Sequence, residues 1–403
     1  MIYSKDEIIE YVREEDVKFI RLAFCDIFGK QKNISILADE LPRAFEHGIA
    51  FDASSVAGFG DESRSDLFLA PDPSTLKPMP WRPEHGKVVR MMSDIVKPDG
   101  SVFPCDTRAV LKRETEKAAG AGYRFFFGPE QEFYLFCLDE NGSRTLIPYD
   151  DAGYMDIAPE DRGENVRREI CLTLEQMGIC PESSHHEEGP GQNEIDFRYS
   201  DPLTAADDAQ TFRTVVRTVA RRNGLYADFS PKPLENAPGN GFHVNVSVKP
   251  DSGCGECGGM IPGIMEHIRE MTLFLNPTEN SYLRFGKHRA PKYISWGFEN
   301  RSLLIRVPAA PEEYRRIELR SPDPASNPYL AFALIIAASV RGIEEGLPSP
   351  APTYSNLFRA GADVTGAYDT LPLSLDAARA AARNSGFIRS VIPEEIIAGY
   401  CGD

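Results

Sequence analysis

Residues 123–136 read YRFFFGPEQEFYLF, a run of aromatics interrupted by two acids, Glu130 and Glu132. Side chains alternate across an extended chain, so residues two apart share a face. Read as a strand, the segment sets both glutamates on one face among aromatics, where like charges are costly unless cations neutralise them. Three further segments repeat the pattern. NEIDFRY (193–199) opposes Glu194, Asp196 and Arg198 to Ile195, Phe197 and Tyr199. GFHVNVSV (241–248) opposes His243, Asn245 and Ser247 to Phe242, Val244, Val246 and Val248. RRIELRS (315–321) opposes Arg316, Glu318 and Arg320 to Ile317 and Leu319. An antiparallel sheet with one wet face alternates in the same way. Here the polar members are Glu, His and Arg, not the Thr, Lys and Gln of a solvated face, and a functional pocket is the better reading.

Helical periodicity separates these strands, at about 160–177, 204–222, 260–275 and 328–345, with shorter helices expected within 374–400. Asp106 is placed to cap a helix running to about Ala119. Upstream, Ser4 to Glu7 reads as a capping box, and VKFIRLAFCDIFG and KQKNISI read as two strands around a turn at Gly29. Residues 58–104 are proline-rich and read as loop with short strands such as KVVRMMSDI, and a domain boundary is expected near residue 104. The expected class is α+β: a small N-terminal α/β domain (1–103) and a large C-terminal domain (104–403) on a mostly antiparallel sheet.

The chain has 403 residues, 42% of them hydrophobic and 26% charged, which fits a folded protein of two or three domains. Lys and Arg number 44 against 61 Asp and Glu, a net charge of −17 that argues against unaided binding to nucleic acid or an anionic membrane. The longest strongly apolar stretch, YLAFALIIAASV (329–340), is shorter than the roughly 20 residues a bilayer span takes. The N-terminus lacks the apolar core of a secretory signal, and eight cysteines are too few for a disulfide scaffold, so a cytoplasmic setting is expected. Cys254 and Cys257 have CxxC spacing without a second pair nearby; they read as a plain loop, with redox or metal chemistry as the alternatives.

The segment HHEEGPGQ (185–192) brings Glu187 close in sequence to Glu194. Glu130, Glu132, Glu187, Glu194, Glu318 and His243 then form a candidate ligand set, rich in oxygen and suited to Mg²⁺ or Mn²⁺. Zinc is disfavoured, since no Cys or His cluster accompanies the acids. Arg284, Arg301, Arg306, Arg316 and Arg320 lie close by in sequence, and guanidinium forks suit phosphate and carboxylate oxygens. Cations held by carboxylates beside arginines are the parts needed for phosphoryl transfer from a nucleotide. Neither a P-loop nor a kinase signature is present, so the nucleotide must be held another way.

These segments resemble the glutamine synthetase family over nearly the whole chain. FDASSVAGF followed by SDLFLAPDPST is similar to an N-terminal motif of the family, and GPEQEF, HHEEGPGQNEID, KPLENAPGNGFHVNVS, NRSLLIRVP and RRIELRSPDPASNPYLAFA follow its catalytic motifs in order. The resemblance implies an N-terminal β-grasp domain, a catalytic domain with a funnel-shaped antiparallel sheet flanked by helices, and a homo-oligomer of two stacked six-subunit rings with active sites between neighbours. It implies one metal on Glu132, Glu187 and Glu194 and a second on Glu130, His243 and Glu318. Arg301, Arg306 and Arg316 match residues facing the ATP phosphates, Glu182 and Ser247 match nucleotide contacts, and Gly239, Arg284 and Arg320, with His243, match the glutamate site. Asp52 matches an aspartate that binds and deprotonates ammonium. The implied reaction phosphorylates the γ-carboxylate of glutamate with ATP, and an amine then displaces phosphate.

One departure bears on the acceptor. In the family a glutamate sits on a flap over the site; in FGKHRAP (285–291) that place is taken by Arg289, which cannot serve as a base. Three readings follow: ammonia as acceptor, an organic amine such as a polyamine or small alkylamine as acceptor, or a non-catalytic homologue that binds nucleotide or glutamate. Adenylylation of a tyrosine, known in some bacterial members, has no clear counterpart here.

Overall fold

The computed structural model describes residues 4–82, 85–251 and 258–402, so Cys254 and Cys257 lie outside the described residues. Ser4 opens helix α1 (Lys5–Glu14): its Oγ accepts from the Glu7 amide at 3.3 Å while its own amide donates to Glu7 Oε2 at 2.6 Å. Six strands follow: β1 (Val17–Cys25), β2 (Gln31–Leu37), β3 (Ile49–Asp52), β4 (Asp66–Pro71), β5 (Lys77–Pro78) and β6 (Lys87–Val96), with helix α2 (Leu41–His47) between β2 and β3. They form one sheet in the order β2-β1-β6-β4-β3, with β5 on β6; β1 and β6 run parallel and the other pairs antiparallel.

The segment KVVRMMSDI is a strand, as its sequence reads. It belongs to a ten-residue strand at the centre of the sheet. Its mixed composition hides this because the strand is covered on both faces: Val89, Met91 and Ile95 face one layer, while buried Arg90 donates to Thr211 Oγ1 at 2.9 Å on the other.

The second sheet has the order β13-β14-β15-β12-β7-β10-β9, built from β7 (Tyr123–Leu138), β9 (Pro181–His186), β10 (Gln192–Phe197), β12 (Phe242–Pro250), β13 (Trp296–Phe298), β14 (Ile305–Val307) and β15 (Ile317–Leu319). Two more strands, β8 (Arg144–Pro148) and β11 (Leu225–Asp228), also pair with β7. Of the SLLIRVP segment only Ile305–Val307 pairs as strand; Leu303 and Leu304 are buried in the approach to it. Only β13 and β14 run parallel within this sheet.

Helices cover one face of it: α3 (Thr107–Gly120), α4 (Glu164–Gln176), α5 (Pro202–Arg222), α6 (Met260–Leu275), the single turn α7 (Glu279–Tyr282) and α8 (Pro328–Glu344). Three shorter helices, Leu375–Arg383, Gly386–Val391 and Glu394–Cys401, close the chain. The odd-numbered residues of β7 meet this layer. Phe127 stacks on Phe332 of α8 at 4.3 Å, Phe133 packs edge-on to Phe212 of α5, and Gln131 accepts from Arg213 Nε at 2.7 Å. Such ring pairs add about 1 kcal/mol beyond the area they bury. The apolar run of 329–340 is the interior of α8, buried around most of its circumference, as a helix without a polar face must be. No helix among the described residues is long and apolar enough to cross a membrane.

The two sheets meet along a polar seam. Gly29 turns with φ +76°, and a Cβ there would sit 2.9 Å from the Asn327 backbone, so only glycine allows the approach. Asn327 Nδ2 and Tyr400 Oη both donate to the Ile27 carbonyl, at 3.0 and 3.1 Å. Arg108 on α3 joins three carboxylates, Asp72 after β4, Asp94 on β6 and Asp207 on α5, at 2.8, 2.6 and 2.9 Å. Removing one partner of a buried ion pair strands the other charge. Arg108→Ala should therefore lower unfolding stability by about 3 kcal/mol, seen as a lower denaturant midpoint; an unchanged midpoint would show the seam does not depend on it.

Candidate active site

The strand register assembles the polar face in rows. His243 of β12 pairs with Glu130 of β7, and Glu130 with Asp196 of β10. One row along, Glu132 pairs with Glu194, and Glu194 with His185 of β9. On the other side Asn245 pairs with Glu318 of β15, and Glu318 with Arg306 of β14. Every paired residue points to the same side, because directly opposed residues share a face. Above these rows opens a cavity of about 470 Å³.

The acids in it are oriented, not merely adjacent. Glu132 Oε2 accepts from Gln192 Nε2 at 3.0 Å and from the Gly241 amide at 2.9 Å, leaving Oε1 4.0 Å from His243 Nδ1. Asn245 Nδ2 donates to Glu130 Oε1 at 2.6 Å, leaving Oε2 3.6 Å from the same His243 nitrogen. Glu187 accepts from the Glu188 amide at 3.0 Å, and its other oxygen lies 2.9 Å from His185 Nε2. Glu318, 1% exposed, is bound by Arg306 at 2.7 Å and by Arg320, and lies 3.8 Å from His243. The donor atoms of Glu130, His243 and Glu318 fall within 4.8 Å of one another, as do those of Glu132, Glu194 and His243 and those of His185, Glu187 and Glu194.

Electrostatics separates these groups. Burial alone would raise Glu318, but Arg320, His243 and Arg306 outweigh it and bring its pKa down to about 2. Burial raises Glu194 well above its ordinary value, and Asp196, Glu132, Glu130 and Glu187 add to the shift. Burial, with Glu130, pushes Asp196 up to about 6. Buried acids in one cluster repel each other, and the arginines on Glu318 relieve only one edge of it. An oxygen-rich set with one imidazole, crowded with like charge, fits a hard divalent cation.

Arginines line the opposite wall. Arg301, Arg306 and Arg316 reach the cavity from the β14–β15 side, and Arg284 and Arg320 from its floor, both 3% exposed or less in the whole residue. Arg316 Nε donates to Asn245 Oδ1 at 2.9 Å, and Arg284 Nη1 to the Ser321 carbonyl at 3.1 Å. Gly239 borders the same floor, where a Cβ would lie 2.6 Å from Arg284 and 2.5 Å from the Pro231 carbonyl. Arg289 lines the mouth with φ +65°; its guanidinium pairs with Glu188 and lies 5.4 Å from the Tyr154 ring centroid.

Three sequence candidates stand apart from this cavity. Glu182 is exposed on β9, and Ser247 is half-buried further along β12, opposite Phe126. Asp52 ends β3 in the first sheet, exposed, with its carboxylate accepting from the Ser54 amide and hydroxyl at 2.9 and 2.6 Å. Conversely His185, Asp196 and Gln192 belong to the cavity although sequence reasoning did not select them. The period-two signal was available for all three: His185 precedes Glu187 by two residues, Gln192 precedes Glu194 by two, and Asp196 follows Glu194 by two.

Residues 104–402 match the family described as glutamine synthetase, catalytic domain, and residues 16–98 match glutamine synthetase, beta-Grasp domain. A curated glutamine synthetase of Clostridium saccharobutylicum is 46% identical over 369 residues, 88% of this chain and 83% of the relative. The glutamine synthetase of Methanosarcina mazei is 43% identical over 413 aligned positions, covering 98% of this chain and 92% of the relative. Among solved structures, one titled GmaS/ADP complex superposes with a TM-score of 0.89 at 28% identity, covering 100% of this chain and 94% of that one.

Raised carboxyl pKa values set the direction of a pH effect on metal uptake. Glu194 is raised well above its ordinary value and Asp196 is pushed up to about 6, so a cation must displace protons that ordinary carboxylates would already have lost. Affinity for Mn²⁺ should therefore rise with pH through the range around 6 where Asp196 loses its proton, with protons released on binding. Calorimetric titration in buffers of different ionisation enthalpy reads both; binding that is pH-independent and proton-neutral would contradict the electrostatics described.

Proposed function

The chain belongs to the glutamine synthetase family, and from that premise we propose that it is an ATP-dependent ligase joining ammonia to the side-chain carboxylate of glutamate. The observation that carries the reading is one cavity with ordered carboxylates on one wall and arginines on the other.

Glutamate carboxylate is a poor acyl donor. In the proposed reaction a γ-carboxylate oxygen attacks the terminal phosphorus of ATP, ADP leaves, and an acyl phosphate forms. The nitrogen of ammonia then attacks the acyl carbon, inorganic phosphate leaves, and a carboxylate takes the proton. Arg301, Arg306 and Arg316 are the residues we assign to the phosphates, where fixed guanidinium groups stabilise charge on the transferring group. Arg284, Arg320, Gly239 and His243 are assigned to glutamate, and Glu182 and Ser247 to the nucleotide. That the neighbour titled GmaS/ADP complex is a nucleotide complex supports a nucleotide here. Mg²⁺ or Mn²⁺ would be held by Glu132, Glu187 and Glu194 and by Glu130, His243 and Glu318. When bound, such ions neutralise phosphate oxygens and polarise the transferring group.

We further propose domains 1–103 and 104–403, a cytoplasmic setting, and a dodecamer of two six-subunit rings. The position of Asp52 supports the assembly: it is exposed and does not line the cavity of its own chain, so it is free to complete a neighbour's. Arg289 motivates an organic amine as acceptor. Its guanidinium is engaged by Glu188 and Tyr154 at the rim, and ammonia remains the better-supported acceptor.

Phosphate release from ATP should require glutamate, a divalent ion and ammonium, and methylamine, ethanolamine and putrescine should give lower kcat/KM than ammonium. A preference for an organic amine would reassign the acceptor. ATP binding without turnover on any amine would mark a non-catalytic homologue. For the shared site, Asp52→Ala and Glu318→Ala assemblies should each be inactive, and re-association of the two in equal amounts should restore about a quarter of full activity. No recovery would place both residues in the same subunit's site.

A further inference from the structure

The turn from β9 to β10 carries Glu187, Gln192 and Glu194 into the cavity, and buried polar groups grip it from behind. His186 is 0% exposed; its Nδ1 lies 2.7 Å from the Glu187 carbonyl oxygen and its Nε2 2.9 Å from Asp150 Oδ1. Both ring nitrogens are thus engaged by oxygen atoms at hydrogen-bond distance. Asp150, Asp161 and His186 bring their donor atoms within 4.8 Å, the spacing of a metal trio. With both ring nitrogens already engaged at hydrogen-bond distance, the ring has none to spare for a metal.

What the cluster does instead is visible in its other bonds. Asp150 Oδ1 also accepts from the Gly191 amide at 2.9 Å. The Gly191 carbonyl accepts from Asn193 Nδ2 at 2.9 Å, and Asn193 Oδ1 accepts from Arg167 Nη1 at 2.6 Å. Arg167 is in turn paired with Asp161. The turn closes on itself, with the Glu187 amide donating to the Gln192 carbonyl at 2.8 Å. Both backbone groups of Gly191 and the carbonyl of Glu187 are thus fixed from the rear.

We propose that His186, held by Asp150, is a positioning residue that sets Glu187 in its metal-binding orientation by gripping the Glu187 carbonyl. It acts through Glu187 and touches no substrate. The inference rests on the metal assignment above, and its test is read without turnover. Partners that orient a ligand side chain typically change metal affinity by about tenfold to a hundredfold when removed.

Mn²⁺ titration of the intact apo-assembly is the measurement. His186→Leu should weaken the Glu187 site by about tenfold to a hundredfold, and His186→Gln, which keeps one donor, should fall between it and wild type. Asp150→Asn, which removes the charge and keeps the shape, should also weaken binding and serves if His186→Leu does not assemble. Ile170→Ala, a cavity in the apolar layer of α4 away from these bonds, should lower the thermal midpoint and leave Mn²⁺ affinity unchanged. Affinities within twofold of wild type for Asp150→Asn and His186→Gln, or an equal loss in Ile170→Ala, would overturn the positioning role. A wild-type assembly that takes up no Mn²⁺ would overturn the metal assignment itself.

Discussion

The register of β7 against its neighbours on either side is the constraint on which the rest depends. Glu130 faces His243 on one side and Asp196 on the other, and Glu132 faces Glu194. A slip of one residue in either pairing would turn the acids of that strand toward α5 and α8 and bring phenylalanines into the cavity. The opposite face opposes any such slip. Phe127 on Phe332, Phe133 on Phe212 and Gln131 on Arg213 can be satisfied in one register only. The apolar layer thus specifies the geometry of the charged one.

That specification is needed because the charged layer does not favour its own assembly. Glu130, Glu132, Glu187, Glu194 and Asp196 gather around two imidazoles, His243 and His185, and the arginines that pair most closely reach Glu318 alone. Burial raises Glu194 and Asp196, and repulsion from the neighbouring acids adds to both shifts. Hydrogen bonds from Gln192, the Gly241 amide and Asn245 orient individual oxygens without supplying net positive charge to the cluster as a whole. Divalent cations supply that charge, so the same repulsion that opposes the empty arrangement favours binding.

Much of this was legible in the sequence because its information is local. Period two in four segments marked the polar face, and capping at Ser4 and Asp106 marked two helix starts within a residue. Position across strands was less legible. Strand β6 was readable as a strand but not as the centre of its sheet, because its polar residues suggest exposure while its neighbours bury them: Arg90 meets Thr211 from α5, a residue far away in sequence. His185 and Asp196 carried the right alternation, but alternation marks a face and not how far along the strand the cavity extends. Ser247 shows the converse, with the expected face and a place outside the lining, and Glu182, matched only by resemblance, lies outside it as well. Asp52 is set apart by topology, since β3 is the far edge strand of the other sheet.

The two sides of the second sheet divide the work, and the turn after β9 shows why one side cannot be altered without the other. Its front presents Glu187 and Glu194; its back meets α4 through Arg167 and the segment before α4 through Asp150 and Asp161. A polar back layer is an unusual choice where apolar packing would be cheaper in desolvation, and it makes sense only if direction matters more than adhesion. Apolar contacts hold a turn in place but tolerate rotation, whereas bonds to the Glu187 carbonyl and to both groups of Gly191 leave the peptide planes no freedom. A carboxylate one residue from such a fixed peptide inherits its orientation, and that is what a ligand needs when several acids must share one cation.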